Sequence, residues 1–240
     1  MSAFHPPQQT YRDPASFARA VTIALVLVAG VQAMAVAFVV TRLTAGSTLT
    51  FSISDQGTVD GPDGFDIFQW VSLMVSVMTY GAWLAWQYRV HSNARLAARE
   101  RVPTSAGWGV LCWFIPFVNL VKPYLVMREI RRASVSDPFR RRWIVGLWWA
   151  CWIAPMIVGV LAVIDVVSDL VGTLSRSSGP PRLIMELDEG PLRLIAAGQL
   201  SMILAASLAI LLVREISHGQ IFRAATGGPT GSVPARPDVG

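Results

Sequence analysis

Four apolar runs free of charge dominate this chain: Ala20 to Thr41, Ile67 to Tyr88, Trp143 to Ile164, and Leu194 to Val213, of 22, 22, 22 and 20 residues. A helix rises about 1.5 Å per residue, so each run reaches across the roughly 30 Å hydrocarbon core of a bilayer. The stretch from Arg89 to Arg142, the longest between two runs, has only 54 residues, near the lower limit for an independent soluble domain. Charged residues make up 15% of the 240, against roughly 25% in ordinary soluble domains. These features exclude a soluble enzyme and predict an all-α integral membrane four-helix bundle. Residues 17–217 form its membrane domain, between polar tails over 1–16 and 218–240 that are expected to be disordered.

The formal net charge of +5 does not indicate nucleic-acid binding, because the basic residues alternate with the apolar runs. With the N-terminus inside, 16 of the 20 basic residues are cytoplasmic and 4 are external, while 6 acids lie inside and 9 outside. The positive-inside rule therefore places both termini in the cytoplasm. Residues Ala15 to Ala35 have the outline of a signal peptide, ending in Ala33-Met34-Ala35. The apolar run continues through Val36, Phe38, Val39 and Val40, so a retained span is expected instead.

A fifth uncharged stretch, Val102 to Val121, has the length of a span but not its composition. Pro103, Thr104 and Ser105 make its start polar, Pro116 removes an interior donor, and Asn119, Lys122 and Pro123 close it. A crossing there would also put the Arg89 to Arg101 group and the Lys122 to Arg142 group on opposite sides. The expectation is a re-entrant or interfacial Pro-broken helical hairpin over 102–124, between helices two and three. Helix two continues past the membrane through Arg89, Asn93 and Arg95, and helix three starts with Asp137 as N-cap and Pro138 at the first position. The external loops read as turn chemistry, as in Asp60-Gly61-Pro62-Asp63-Gly64 and Ser177-Ser178-Gly179-Pro180-Pro181.

The most distinctive segment runs from Gly107-Trp108-Gly109 through Phe114-Ile115-Pro116, Asn119-Leu120 and Lys122-Pro123-Tyr124 to Met127-Arg128-Glu129. It resembles the bacterial multi-pass membrane family known as domain of unknown function 4328. That family's signature is an aromatic-rich Gly-Trp segment, a Phe-Ile-Pro step, an Asn-Leu pair, a basic-Pro-Tyr step and a Met-Arg-Glu continuation. The resemblance takes in Trp86, Arg89, Asn93, Trp148, Trp149 and Gln220, and covers about Ile67 to Gln220. Val110 and Cys112 depart from the pattern, and both external loops are long. The resemblance implies a multi-pass membrane fold and supplies no catalytic residues.

Candidate functional residues gather at the cytoplasmic side. Arg89, Asn93 and Asn119 are candidates for a polar pocket open to a headgroup or small anion. The competing reading has the Asn119 amide satisfy backbone carbonyls freed by Pro116 and Pro123. Lys122, Arg128, Arg131 and Arg132, with Arg140 to Arg142, form a basic surface suited to anionic lipid, and Trp108, Trp113, Tyr124, Trp143, Trp148 and Trp149 fit an interfacial aromatic belt. Asp165 and Asp169 lie one turn apart at the outer end of helix three, where solvated carboxylates are cheap. Rows of small residues, Ala29-Ala33-Ala37 and Ala197-Ser201-Ala205-Ala209, suit close helix packing or self-association, and Gln199 with Ser201 is expected to bond a neighbouring helix. Cys112 and Cys151 are expected as free thiols. His5, His91 and His218 lack metal-ligand spacing, so neither metal nor cofactor is expected, and no catalytic residue is identified. The leading functional reading is a non-catalytic scaffold that binds lipid or a protein partner. A small-solute transporter or channel subunit and an interfacial lipid-modifying enzyme are the alternatives.

Overall fold

The computed structural model describes residues 10–47, 49–53, 59–60, 64–137, 141–176, 184–187 and 189–226. Among them are six helices: α1 Ala15–Thr44, α2 Phe65–Ala97, α3 Ala106–Leu111, α4 Lys122–Ser134, α5 Ile144–Arg176 and α6 Glu189–Ala225. α1, α2, α5 and α6 are long and apolar enough to cross a membrane, and most of the residues in their apolar stretches face outward. An apolar exterior of this extent is stable in lipid and not in water, so this is a membrane protein. Segment 102–124 contains no helix of spanning length. α3 has six residues, about 9 Å of rise, and a 3₁₀ turn at Val118–Leu120 follows before α4.

Several boundaries differ from the sequence expectation. α5 begins at Ile144, so Asp137 is not its N-cap, and Pro138 lies outside the described residues. Arg141, at φ 53, interrupts the helical path just before that start. α5 then continues to Arg176, which places Asp165 and Asp169 within the helix instead of at its end. α6 runs through residues 218–225, where the sequence predicts a disordered tail. They remain helical because Ile216, Ser217 and Gln220 on this turn are buried in contacts described below. The segments between α1 and α2 and between α5 and α6 also contribute a small antiparallel sheet that turn chemistry alone does not announce: β1 Leu49–Ile53 is flanked by β2 Val59–Asp60 and β3 Ile184–Leu187. Leu49, Phe51 and Ile53 alternate with Thr50 and Ser52 along β1, a two-residue period too short to stand out from a polar loop.

The chain divides into two compact units: residues 1–21, 82–145 and 211–240 form unit 1, and residues 22–81 and 146–210 form unit 2. In unit 2, polar groups serve helix packing. Thr79 Oγ1 of α2 donates to the Ala24 carbonyl of α1 at 3.2 Å. Pro155, inside α5, has no N–H to offer the Cys151 carbonyl one turn earlier. Ser201 Oγ of α6 donates to that carbonyl at 2.9 Å, so a neighbouring helix replaces the lost bond. Small residues line this side of α6: Ala205 and Ala209 are buried, and a Cβ on Gly198 would meet Pro155 Cβ at an ordinary 3.7 Å. Ser201 thus forms the inter-helix bond expected of it.

Candidate functional site

Unit 1 holds most of the buried polar side chains among the described residues, and they lie on the inward stripes of three helices. On α2 the stripe Trp83, Trp86, Gln87, Val90, His91 and Ala94 recurs at three- and four-residue spacing and is buried throughout. On α4 it is Met127, Ile130, Arg131 and Ser134, and on α6 it is Leu212, Val213, Ile216, Ser217 and Gln220.

Gln87 is fully buried and engages both ends of its amide. Its Oε1 accepts from the Trp83 indole at 3.1 Å and the Trp113 indole at 2.9 Å, and its Nε2 donates to the Gly109 carbonyl at 2.8 Å. The two rings meet edge to face, with centroids 6.4 Å apart and planes at 80°, a favourable aromatic arrangement. Trp86 donates to Ser217 Oγ at 3.0 Å. His91 Nε2 lies 2.9 Å from the Thr104 carbonyl, which can only accept, so this nitrogen carries the hydrogen. Nδ1 is left as a buried acceptor with no partner among the described residues, packed so closely on Gly109 that a Cβ there would come within 2.5 Å of it.

A second cluster joins the chain ends to α2 and α4. Gln220 Nε2 donates to the Val90 carbonyl at 2.8 Å and to Ser134 Oγ at 2.9 Å, while its Oε1 accepts from Asn93 Nδ2 at 3.1 Å. Asn93 also clasps the backbone of Arg12, donating to its carbonyl at 2.8 Å and accepting from its N–H at 3.2 Å. Residue 12 is therefore held in place, although it falls in the stretch expected to be a disordered leader. Gly219 permits the contact, since a Cβ there would sit 2.3 Å from the Ser134 carbonyl oxygen. Arg223 donates to the carbonyls of Ala133 and Val135, at 2.9 Å in the second case, and so satisfies acceptors left over at the end of α4. Arg131 and Glu215 form a two-pronged ion pair at 3.0 and 2.8 Å, with the arginine side chain 3% exposed.

The sequence-selected residues separate into different environments. Asn93 belongs to the Gln220 cluster. Arg89 stacks its guanidinium over Phe17 at 4.9 Å. Asn119 is half-buried in its 3₁₀ turn, with Oδ1 enclosed and without a partner among the described residues. Arg89, Asn93 and Asn119 thus have different described surroundings, Arg89 and Asn93 one turn apart on α2 and Asn119 in the 3₁₀ turn. Of the basic residues, Lys122 and Arg132 are exposed and Arg128 is half-buried over Tyr124 at 5.5 Å. Arg131 is not on the surface, because the α4 stripe turns it inward to Glu215. Arg141 and Arg142 are exposed, and Arg140 lies outside the described residues. The aromatic belt is also smaller than expected: Trp113 and Trp148 are buried, whereas Trp108 and Trp143 are exposed. Cys112 and Cys151 are free and buried.

Sequence reasoning missed the parts played by Gln87, His91, Ser134, Glu215, Ser217 and Arg223. The available signal was a polar residue inside an apolar stripe of helical period, as with Gln87 between Trp83 and Val90. No curated protein and no solved structure gives a significant match to the chain. The family model described as Domain of unknown function (DUF4328) matches residues 63–218, which include α2, α4 and the Gln87 cluster, and the chain belongs to that family.

Proposed function

We propose that the protein is a non-catalytic scaffold of the bacterial plasma membrane, with both termini cytoplasmic and unit 1 as its working face. The observation that carries this reading is the use made of the buried polar groups. Gln87, Asn93, Gln220, Ser217 and Arg131 are each committed to a partner within unit 1, an arrangement suited to rigidity. Outside this interior Lys122, Arg132, Arg141 and Arg142 are exposed, as are Trp108 and Trp143, a combination that favours anionic lipid or an acidic partner. The 16 to 4 distribution of basic residues supports the orientation.

The test is crosslinking with mass spectrometry in native membranes, comparing wild type with a Lys122→Gln, Arg128→Gln, Arg132→Gln variant. Arg131 is left in place because its ion pair is structural. Loss of a crosslinked lipid or protein with insertion intact supports the reading, and an unchanged crosslink pattern rejects it. A second reading, a small-solute path through the Pro-broken segment, draws on the enclosed and unpartnered Asn119 Oδ1. Solute flux in proteoliposomes that disappears in Asn119→Leu would favour it over the scaffold.

A further inference from the structure

The stretch from α3 to the start of α4 carries a stripe of exposed apolar side chains. Trp108, Leu111, Phe114, Phe117 and Leu120, spaced at every third position, are 43, 55, 63, 85 and 44% exposed; Pro116 and Val121 are exposed as well, and Gly109, Cys112 and Trp113 in the first half are buried. Much of this stretch is wound with bonds to the third residue back, such as Phe114 N–H to Leu111 carbonyl and Leu120 N–H to Phe117 carbonyl, which bring every third side chain to one face. At its centre Phe117 has φ 64 and ψ −41, and the Val118 N–H closes on the Pro116 carbonyl at 2.7 Å. This is the strained form of the γ-turn, rare for any residue other than glycine, and it projects a phenyl ring outward. Lys122 follows the stripe directly, with Arg128, Arg132, Arg141 and Arg142 nearby in sequence and Trp143 exposed.

We propose that Trp108 to Val121 is an interfacial anchor that seats this stripe in the boundary between headgroups and acyl chains of an anionic leaflet. The occupant is lipid and not a protein groove on two grounds. The chain carries four helices long and apolar enough to cross a membrane, which puts a bilayer within reach of the segment. The charge that follows the stripe is basic, complementary to anionic headgroups, and apolar residues beside lysine and arginine form the pattern of a surface-lying membrane segment. This inference rests on the bilayer-surface placement of unit 1 proposed above.

Single cysteines at Leu111, Phe114, Phe117 and Leu120 are compared with Gly107→Cys and Ser136→Cys, both at exposed positions, using a water-soluble maleimide on inside-out membrane vesicles. Gly107 has open space for a side chain, and the native thiols are buried. The expected result is labelling about tenfold slower or more at all four stripe positions, since a medium of low polarity suppresses the reactive thiolate. The same protection should persist in vesicles of phosphatidylcholine and phosphatidylglycerol containing only the purified protein. Stripe positions that label as fast as Ser136→Cys overturn the anchor. Protection seen in native membranes but lost in the purified vesicles also overturns it, by showing that a protein covers the stripe. Failure of Ser136→Cys to label from this side is the separate result that rejects the placement of unit 1. If Phe117→Cys does not insert, the other three positions carry the same comparison.

Discussion

Gly219→Ala places two effects of opposite sign in one methyl group. In an open helix the change is favourable by about 1 kcal/mol, because alanine loses less conformational freedom than glycine. Here the new Cβ would lie 2.3 Å from the Ser134 carbonyl oxygen and 3.2 Å from its carbon, where ordinary contact begins at 3.4 Å. Relief requires a separation of about 1 Å between the two backbones, since the obstacle is a main-chain carbonyl and not a movable side-chain tip. That separation stretches the 2.9 Å bond from Gln220 to Ser134 beyond hydrogen-bonding range and weakens the Arg223 bonds to the end of α4. Overpacking costs about 1–3 kcal/mol and each lost bond about 1 kcal/mol, so the loss outweighs the helical gain by about 2 kcal/mol. On the scaling of soluble proteins this lowers the midpoint by about 4–8 °C. The control is Gly81→Ala, at a helical glycine where an added Cβ would meet no atom within 4 Å, which should be neutral or slightly stabilising. Thermal unfolding of the two purified variants in the same detergent tests the pair. Equal midpoints for Gly219→Ala and Gly81→Ala would refute the close approach.

Gln87→Leu removes the acceptor shared by two buried indoles and should destabilise by about 2–4 kcal/mol, read as a lowered unfolding midpoint and altered near-ultraviolet circular dichroism of the tryptophans. Arg131→Gln leaves Glu215 without its two-pronged partner and should cost about 2–4 kcal/mol, while Arg131→Gln with Glu215→Gln should recover part of the loss in a double-mutant cycle. Ser201→Ala should cost about 1 kcal/mol by orphaning the Cys151 carbonyl, and should cost nothing in a Pro155→Ala background, where the α5 backbone can supply the bond itself. Additive effects of Ser201→Ala and Pro155→Ala would show that the hydroxyl does not compensate the proline.

The spans were legible because about 20 uncharged residues in a row have few other uses, and the family motif because its Gly, Trp and Pro steps are local. The interior of unit 1 was less accessible. Asn93 and Gln220 meet across 127 positions, and no local pattern announces such a pairing. Arg131 has the same chemistry as Arg128 and Arg132. Only its place in the stripe with Met127, Ile130 and Ser134 distinguishes a buried ion pair from a surface charge. The extension of α6 was hidden by Gly219, which reads as a helix terminator yet is the residue that lets the helix touch the Ser134 carbonyl. Arg89, Asn93 and Asn119 were grouped by polarity alone, and only the folded chain shows that Asn93 holds Gln220 and residue 12 while Arg89 lies over Phe17.

The grip of Asn93 on residue 12 has one more implication. The amide engages only main-chain atoms, so this latch is blind to side-chain identity: any residue with a free N–H can occupy position 12, and proline cannot. What the fold fixes at this position is therefore the course of the main chain, leaving its spelling open.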